Sequence, residues 1–132
     1  MKKEIREQVW LKYKKRCAYC GKLLAYKDMQ VDHLTPHCLG HYYNSKYMKE
    51  FFQIKGKNID SFENLMPSCR RCNHYKRAHT LDQFRALMVS LHDRVNKQYI
   101  TKVAIDYGIV SITPFTGTFY FEKCENFTPL KD

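Results

Sequence analysis

Two cysteine pairs carry the plainest chemistry in this chain. Cys17-Ala18-Tyr19-Cys20-Gly21 and Cys69-Arg70-Arg71-Cys72 are both Cys-x-x-Cys knuckles, and two such knuckles can close one tetrahedral, all-thiolate zinc site. Four soft thiolates fill the coordination shell of Zn²⁺ and leave no position open for chemistry. The ion would therefore be structural, its binding energy offsetting the entropy of ordering a small domain. The stretch from Cys20 to Cys69 is too long for a tight finger and must fold as a structured excursion. Cys38 and Cys124 have no partner at metal spacing and read as packing residues, while His37 and His41 beside Cys38 leave a second metal site as the alternative there.

Within that excursion stands Val31-Asp32-His33-Leu34-Thr35-Pro36. At its end stands Glu63-Asn64-Leu65-Met66-Pro67-Ser68, running directly into Cys69-Arg70-Arg71-Cys72-Asn73 and on to Lys76. Each piece alone is common. In this order, interlocked with both cysteine pairs, they closely resemble the zinc-bearing branch of the HNH endonuclease family, from about residue 10 to about residue 80. The resemblance implies a ββα-metal fold with His33 as general base and Asn64 as the middle residue that orients the catalytic loop by hydrogen bonding. It makes Asp32 and Asn73 the ligands of a catalytic Mg²⁺ or Mn²⁺, and it implies 5′-phosphate and 3′-hydroxyl products.

The residue types suit those roles. A histidine titrates near neutral pH and can take a proton from water attacking phosphorus. A carboxylate and an amide oxygen are hard ligands appropriate to Mg²⁺. Asn73 directly follows Cys72, so the knuckle would fix the base of the helix on which this ligand rides. One constraint follows from strand geometry: neighbours on a strand point to opposite faces, so Asp32 and His33 can share a site only if the strand ends or bulges there. Pro36 favours an ending.

The elements that must position these residues follow from periodicity. Ile5, Val9, Trp10 and Tyr13 fall at helical spacing between Lys3 and Arg16, predicting an amphipathic helix that leads into the first knuckle. A short strand is expected over 29–34, stopping near His33. A second is expected at Leu65 and Met66, then a helix from Arg70 or Arg71. Between the two strands the chain departs from the HNH pattern. An insertion over about 37–60 carries Tyr42, Tyr43, Tyr47, Phe51 and Phe52 among lysines, with a short helix expected around Ser45 to Gln53. The cluster reads first as core and second as a platform for stacking unpaired bases.

After Thr80, the sequence Thr80-Leu81-Asp82-Gln83 fits a capping box, and Leu81, Phe84, Leu87, Met88, Leu91 and Val95 form an apolar helical stripe. A further helix over Tyr99 to Tyr107 should stop at Gly108, and Thr118 to Glu122 reads as a terminal strand. The expected fold is thus α+β: a ββα core stapled by four cysteines over 1–80, with an N-terminal helix. A mainly helical extension over 81–132 would end in a short strand and pack on that core.

Composition bounds the partners. The 132 residues hold 23 Lys and Arg against 13 Asp and Glu, a net charge of +10 that points to a polyanion. DNA is the first candidate and RNA the second, with Arg70, Arg71, Lys76 and Arg77 placed to hold phosphates. The charged start Met1-Lys2-Lys3-Glu4 does not resemble a signal peptide, and no apolar run approaches the roughly 20 residues of a membrane span, so the expected setting is the cytoplasm of a bacterial or phage-infected cell without a membrane partner. A homodimer is a candidate assembly, because one active centre nicks one strand whereas two can break a duplex. Two other functions fit the same residues. One is a zinc-stapled nucleic-acid-binding module with an inactive site. The other is a phage–host conflict protein acting through a protein partner.

Overall fold

A computed structural model describes residues 1–36 and 59–124. The expected helix around Ser45 to Gln53, the aromatic cluster, and Cys38 with His37 and His41 all lie outside those residues. The fold is α+β, with several helices and a small two-stranded antiparallel sheet. The chain divides into two compact units, one of Met1–Leu81 together with Phe119–Asp132, the other of Asp82–Thr118.

The first unit opens with helix α1 (Lys3–Leu11), whose Val9 is fully buried. The helix is shorter than the apolar spacing to Tyr13 predicts. Lys14 and Lys15 both adopt positive φ, 60° and 63°, which ends any helix. The turn they make lets the Lys15 carbonyl accept from Leu24 N–H at 2.8 Å, closing the first knuckle loop on itself. Tyr13 still reaches the core from this turn.

Strand β1 (Gln30–His33) pairs antiparallel with β2 (Leu65–Ser68) in the register Gln30 with Ser68, Val31 with Pro67, Asp32 with Met66 and His33 with Leu65. All four residues of β2 are buried, and the Pro67 carbonyl accepts from Ala18 N–H at 2.8 Å. Proline costs the sheet nothing here, because its missing N–H faces no third strand among the described residues. Helix α2 (Arg70–Lys76) follows at once and packs across β1.

The expected terminal strand is a helix. Tyr120–Lys123 form a short α-helix, which takes a later number below, and the Glu122 carboxylate accepts from Phe119 N–H at 2.8 Å. The alternating aromatics suggested a strand, but the amides of Tyr120 and Phe121 donate to the carbonyls of Tyr19 and Ala18, in the knuckle loop, with no ladder partner among the described residues. Phe119 and Phe121 are both buried against Tyr19, their centroids 5.7 and 6.2 Å from its ring. Both rings thus pack on Tyr19 from a turn of helix, with no strand partner among the described residues.

In the second unit, the apolar stripe after Thr80 divides at Ser90 into α3 (Leu81–Val89) and α4 (Leu91–Asn96). A continuous apolar stripe would predict a buried face. Leu81 and Phe84 are buried, but Leu87, Met88, Leu91 and Val95 are only half-buried. Helix α5 (Tyr99–Asp106) ends as the sequence predicts: Gly108 takes a φ of 73°, and Ile109 N–H reaches back to the Ala104 carbonyl at 2.9 Å. The final helix, Tyr120–Lys123, is α6.

Candidate functional site

The knuckles converge. The sulfurs of Cys17, Cys20, Cys69 and Cys72 all lie within 4.8 Å of one another, and Cys20 and Cys69 are 3.9 Å apart. A tetrahedral zinc with Zn–S bonds of about 2.3 Å sets its sulfurs about 3.8 Å apart, so the cluster has the size and chemistry of a structural zinc site.

Local backbone builds each half. In the first knuckle, Cys17 N–H donates to the Lys22 carbonyl at 2.8 Å and Gly21 N–H to the Cys17 carbonyl at 3.0 Å. Gly21 holds a φ of 81°, and a Cβ there would stand 3.0 Å from the Tyr120 ring, so glycine is required twice over. In the second knuckle Cys69 is the N-cap of α2, its sulfur accepting from Cys72 N–H at 3.4 Å. The thiols also condition one another. Cys17 is held well below the ordinary thiol range because Cys20 and Cys72 share hydrogen bonds with its sulfur. Hydrogen bonds to Cys17 and Cys20, then burial, push Cys72 far up, and Cys20 is raised chiefly by its bond to Cys17. A metal entering such a site must displace thiol protons.

Beside this staple, β1 and α2 meet along two rungs. On the first, Asn73 Nδ2 donates to Gln30 Oε1. On the second, the Lys76 ammonium stands 3.0 Å from Asp32 Oδ2 and donates to the His33 carbonyl, also at 3.0 Å. The Tyr19 hydroxyl donates to the same Asp32 oxygen. Lys76 is fully buried and Asp32 nearly so, and burial together with the Asp32 charge pushes the Tyr19 phenol well above its usual range.

His33 points elsewhere. Its strand pairing runs unbroken to the last residue, so Asp32 faces α2 while the imidazole reaches Asp60, Nε2 to Oδ1 at 2.9 Å. What fixes this corner is Asn64. Its side chain is wholly buried. Its Oδ1 accepts from Thr35 N–H at 2.8 Å, and its Nδ2 donates to the Thr35 carbonyl at 3.0 Å and to the Ile59 carbonyl at 2.7 Å. The Asn64 carbonyl accepts from Leu34 N–H at 2.9 Å. One amide therefore ties the segment leaving His33 to the residue preceding Asp60.

Comparison of the chain with protein-family models, curated proteins and solved structures finds no match. The site is therefore read from its own geometry.

That geometry sorts the expected residues. The four cysteines come together, and Asn64 grips the loop beyond His33. Asp32 and Asn73 share one strand–helix seam, but they bond to different partners. For a catalytic divalent metal the donor chemistry is suitable while the arrangement is not, since Asp32 Oδ2 already carries an ammonium and a phenol. Lys76, expected beside Arg77 as a phosphate contact, is instead sequestered in that ion pair, because the face of α2 bearing it packs on β1. Arg77 is exposed and closes α2 at a φ of 51°, and Arg70 and Arg71 are exposed at its start.

Sequence reasoning missed Tyr19, Gln30 and Asp60. Tyr19 lies between the two cysteines of the first knuckle, where spacing gives it no role of its own. The alternation of Gln30 with Asp32 was the available signal for their common face. Asp60 lies far from His33 in the chain and has none. No helix among the described residues is long and apolar enough to cross a membrane.

Proposed function

We propose that this chain is an endonuclease of the HNH type that hydrolyses DNA phosphodiester bonds, its core stapled by one structural Zn²⁺ on Cys17, Cys20, Cys69 and Cys72. The observation that carries the proposal is the Asn64 clamp. A wholly buried amide makes three side-chain bonds to the backbone flanking His33 and Asp60, the task expected of the middle residue in an HNH site. It supports a ββα reading of β1, β2 and α2.

In this reading His33 accepts the proton of the attacking water, with Asp60 orienting its ring through Nε2. Asn64 keeps the loop beyond His33 from drifting, which preserves the distance between base and phosphate. Asp32 and Asn73 have the hard oxygens that Mg²⁺ or Mn²⁺ would need to neutralise charge at the phosphoryl centre, but as they stand they do not form its site. Lys76 would have to share or yield the Asp32 carboxylate. The net charge of +10 favours a polyanionic substrate.

The Asp32–Lys76 pair also favours a second reading, a zinc-stapled nucleic-acid-binding module whose nuclease site is closed by its own ammonium. The test is incubation of supercoiled plasmid with zinc-loaded protein, with and without Mg²⁺ or Mn²⁺, beside His33→Ala. Open-circle or linear product that needs both the added metal and His33 supports the nuclease. Intact plasmid under every metal, with retained DNA binding, selects the second reading.

A further inference from the structure

Some cations of the first unit are bonded within the fold, while others, Lys2, Lys3, Lys14 and Arg77 among them, are exposed with no side-chain hydrogen bond or ion pair among the described residues. Arg6, Lys12, Arg16 and Lys76 are committed within the fold: Arg6 to the carbonyls of Tyr26 and Met29, Lys12 to those of Phe62 and Leu65, Arg16 to that of Gly21, and Lys76 to Asp32. Lys22, Lys27, Arg70 and Arg71 are exposed, and among the described residues their side chains make no hydrogen bond or ion pair. These four line one cleft of about 940 Å³, with the His74 imidazole beside them and Asp28 as the one acid on the cleft wall.

We propose that this cleft is a phosphate-backbone track for duplex DNA, distinct from the seam that holds Asp32 and Asn73. Four uncommitted cations against a single carboxylate match a polyanion. Leu23, Leu24, Ala25, Met29, Gln30 and Cys69 complete the lining, and no Phe, Tyr or Trp lines it among the described residues. Binders of single strands stack bases on aromatic platforms, and this cleft offers none. It can grip phosphates and cannot hold unstacked bases, so it favours a duplex and reads little sequence. Gln30 also lines the cleft, and its side chain accepts from Asn73, so a backbone seated there passes beside the strand–helix seam.

The track rests on the nucleic-acid part of the proposed function but not on its catalysis, so the test measures binding alone. Zinc-loaded His33→Ala protein, without added divalent metal, is titrated by fluorescence anisotropy with two short duplexes of unrelated sequence and a single strand of equal length, across 50 to 200 mM salt, roughly the range over which backbone contacts are lost. The paired variants are Lys22→Ala with Lys27→Ala and Arg70→Ala with Arg71→Ala. The control is Lys97→Ala with Lys102→Ala, which removes equal charge from the other unit.

Each cleft pair should lower the slope of log K against log salt by about 1.8, at 0.9 per phosphate contact, equally for both duplexes. The control should leave the slope unchanged, and the single strand should bind several-fold more weakly. Equal losses in cleft and control variants, preference for the single strand, or absence of duplex binding would each overturn the proposal. Zinc content, measured on every variant, guards the Arg70 and Arg71 pair against loss of the staple, and the Lys22 and Lys27 pair carries the test if that pair fails to load. Wild-type salt slopes in the cleft variants, with plasmid cleavage retained when the same pairs are changed in protein that keeps His33, would refute the track and leave the nuclease standing.

Discussion

Asn64→Ala is the most informative single change available. The wild-type side chain makes three bonds, to Thr35 N–H, the Thr35 carbonyl and the Ile59 carbonyl, at 2.8, 3.0 and 2.7 Å. Thr35 and Ile59 are both buried, so truncation leaves one donor and two acceptors away from water. A net hydrogen bond contributes about 1 kcal/mol, and each stranded partner costs about 1–3 kcal/mol. Relaxation of the loop and entry of a water recover part of that, which places the expected loss at about 3–5 kcal/mol, a large share of the roughly 5–15 kcal/mol that holds a domain folded.

The assay is denaturant unfolding of zinc-saturated protein, because free metal shifts apparent stability by mass action. Amide hydrogen exchange localises the effect: the Thr35 amide should lose its protection while those of β2 keep theirs until global unfolding. Asn64→Asp provides the control. It keeps an acceptor for Thr35 N–H but turns a carboxylate oxygen toward two carbonyls, so it should rescue little. A loss below about 1 kcal/mol in Asn64→Ala, or unchanged exchange at Thr35, would refute the clamp and with it the strongest support for the HNH reading.

Three further outcomes are expected. The protein should carry one zinc per chain by elemental analysis, lose its cooperative thermal transition when chelated, and bind zinc more weakly as pH falls, since protons compete with the metal for the four cysteine sulfurs; persistence of the transition without metal would reject the staple. Lys76→Met should cost about 3–5 kcal/mol by stranding the Asp32 carboxylate, and adding Asp32→Asn should recover much of it; additive losses in that double-mutant cycle would mean the pair is not coupled. Burial raises the Tyr13 phenol from 10.0 to about 12. The folded state therefore favours the protonated phenol, giving a stabilisation present below pH 10 and lost as pH rises through about 12, and Tyr13→Phe should flatten that slope in alkaline denaturation curves.

Much of the site was legible in the chain because it is local. A Cys-x-x-Cys pair needs only a turn to aim two sulfurs together, and the second knuckle opens the helix that carries Asn73, so composition and spacing were enough to expect four cysteines in one cluster. The two strands and the helix after Cys69 were legible for the same reason, each being short and bounded by residues with strong backbone preferences. The alternating aromatics at 118–122 misled because a strand requires a partner edge. The amides of Tyr120 and Phe121 bond instead to the first knuckle loop, a partner supplied by folding and not by local pattern.

The rest belongs to tertiary structure. Whether a lysine is a surface cation or a buried counter-ion depends on what its helix face meets, and Lys76 meets Asp32 across a seam that periodicity could only suggest. Asp60 reaches His33 because Asn64 pins Ile59 to Thr35, a contact between residues far apart in the chain that no local signal encodes. The sequence by itself determined which residues could do chemistry and how the cysteines would gather. Only packing decided which charges are spoken for inside the fold and which remain free to meet a partner, because desolvation and pairing are properties of neighbours brought together in space.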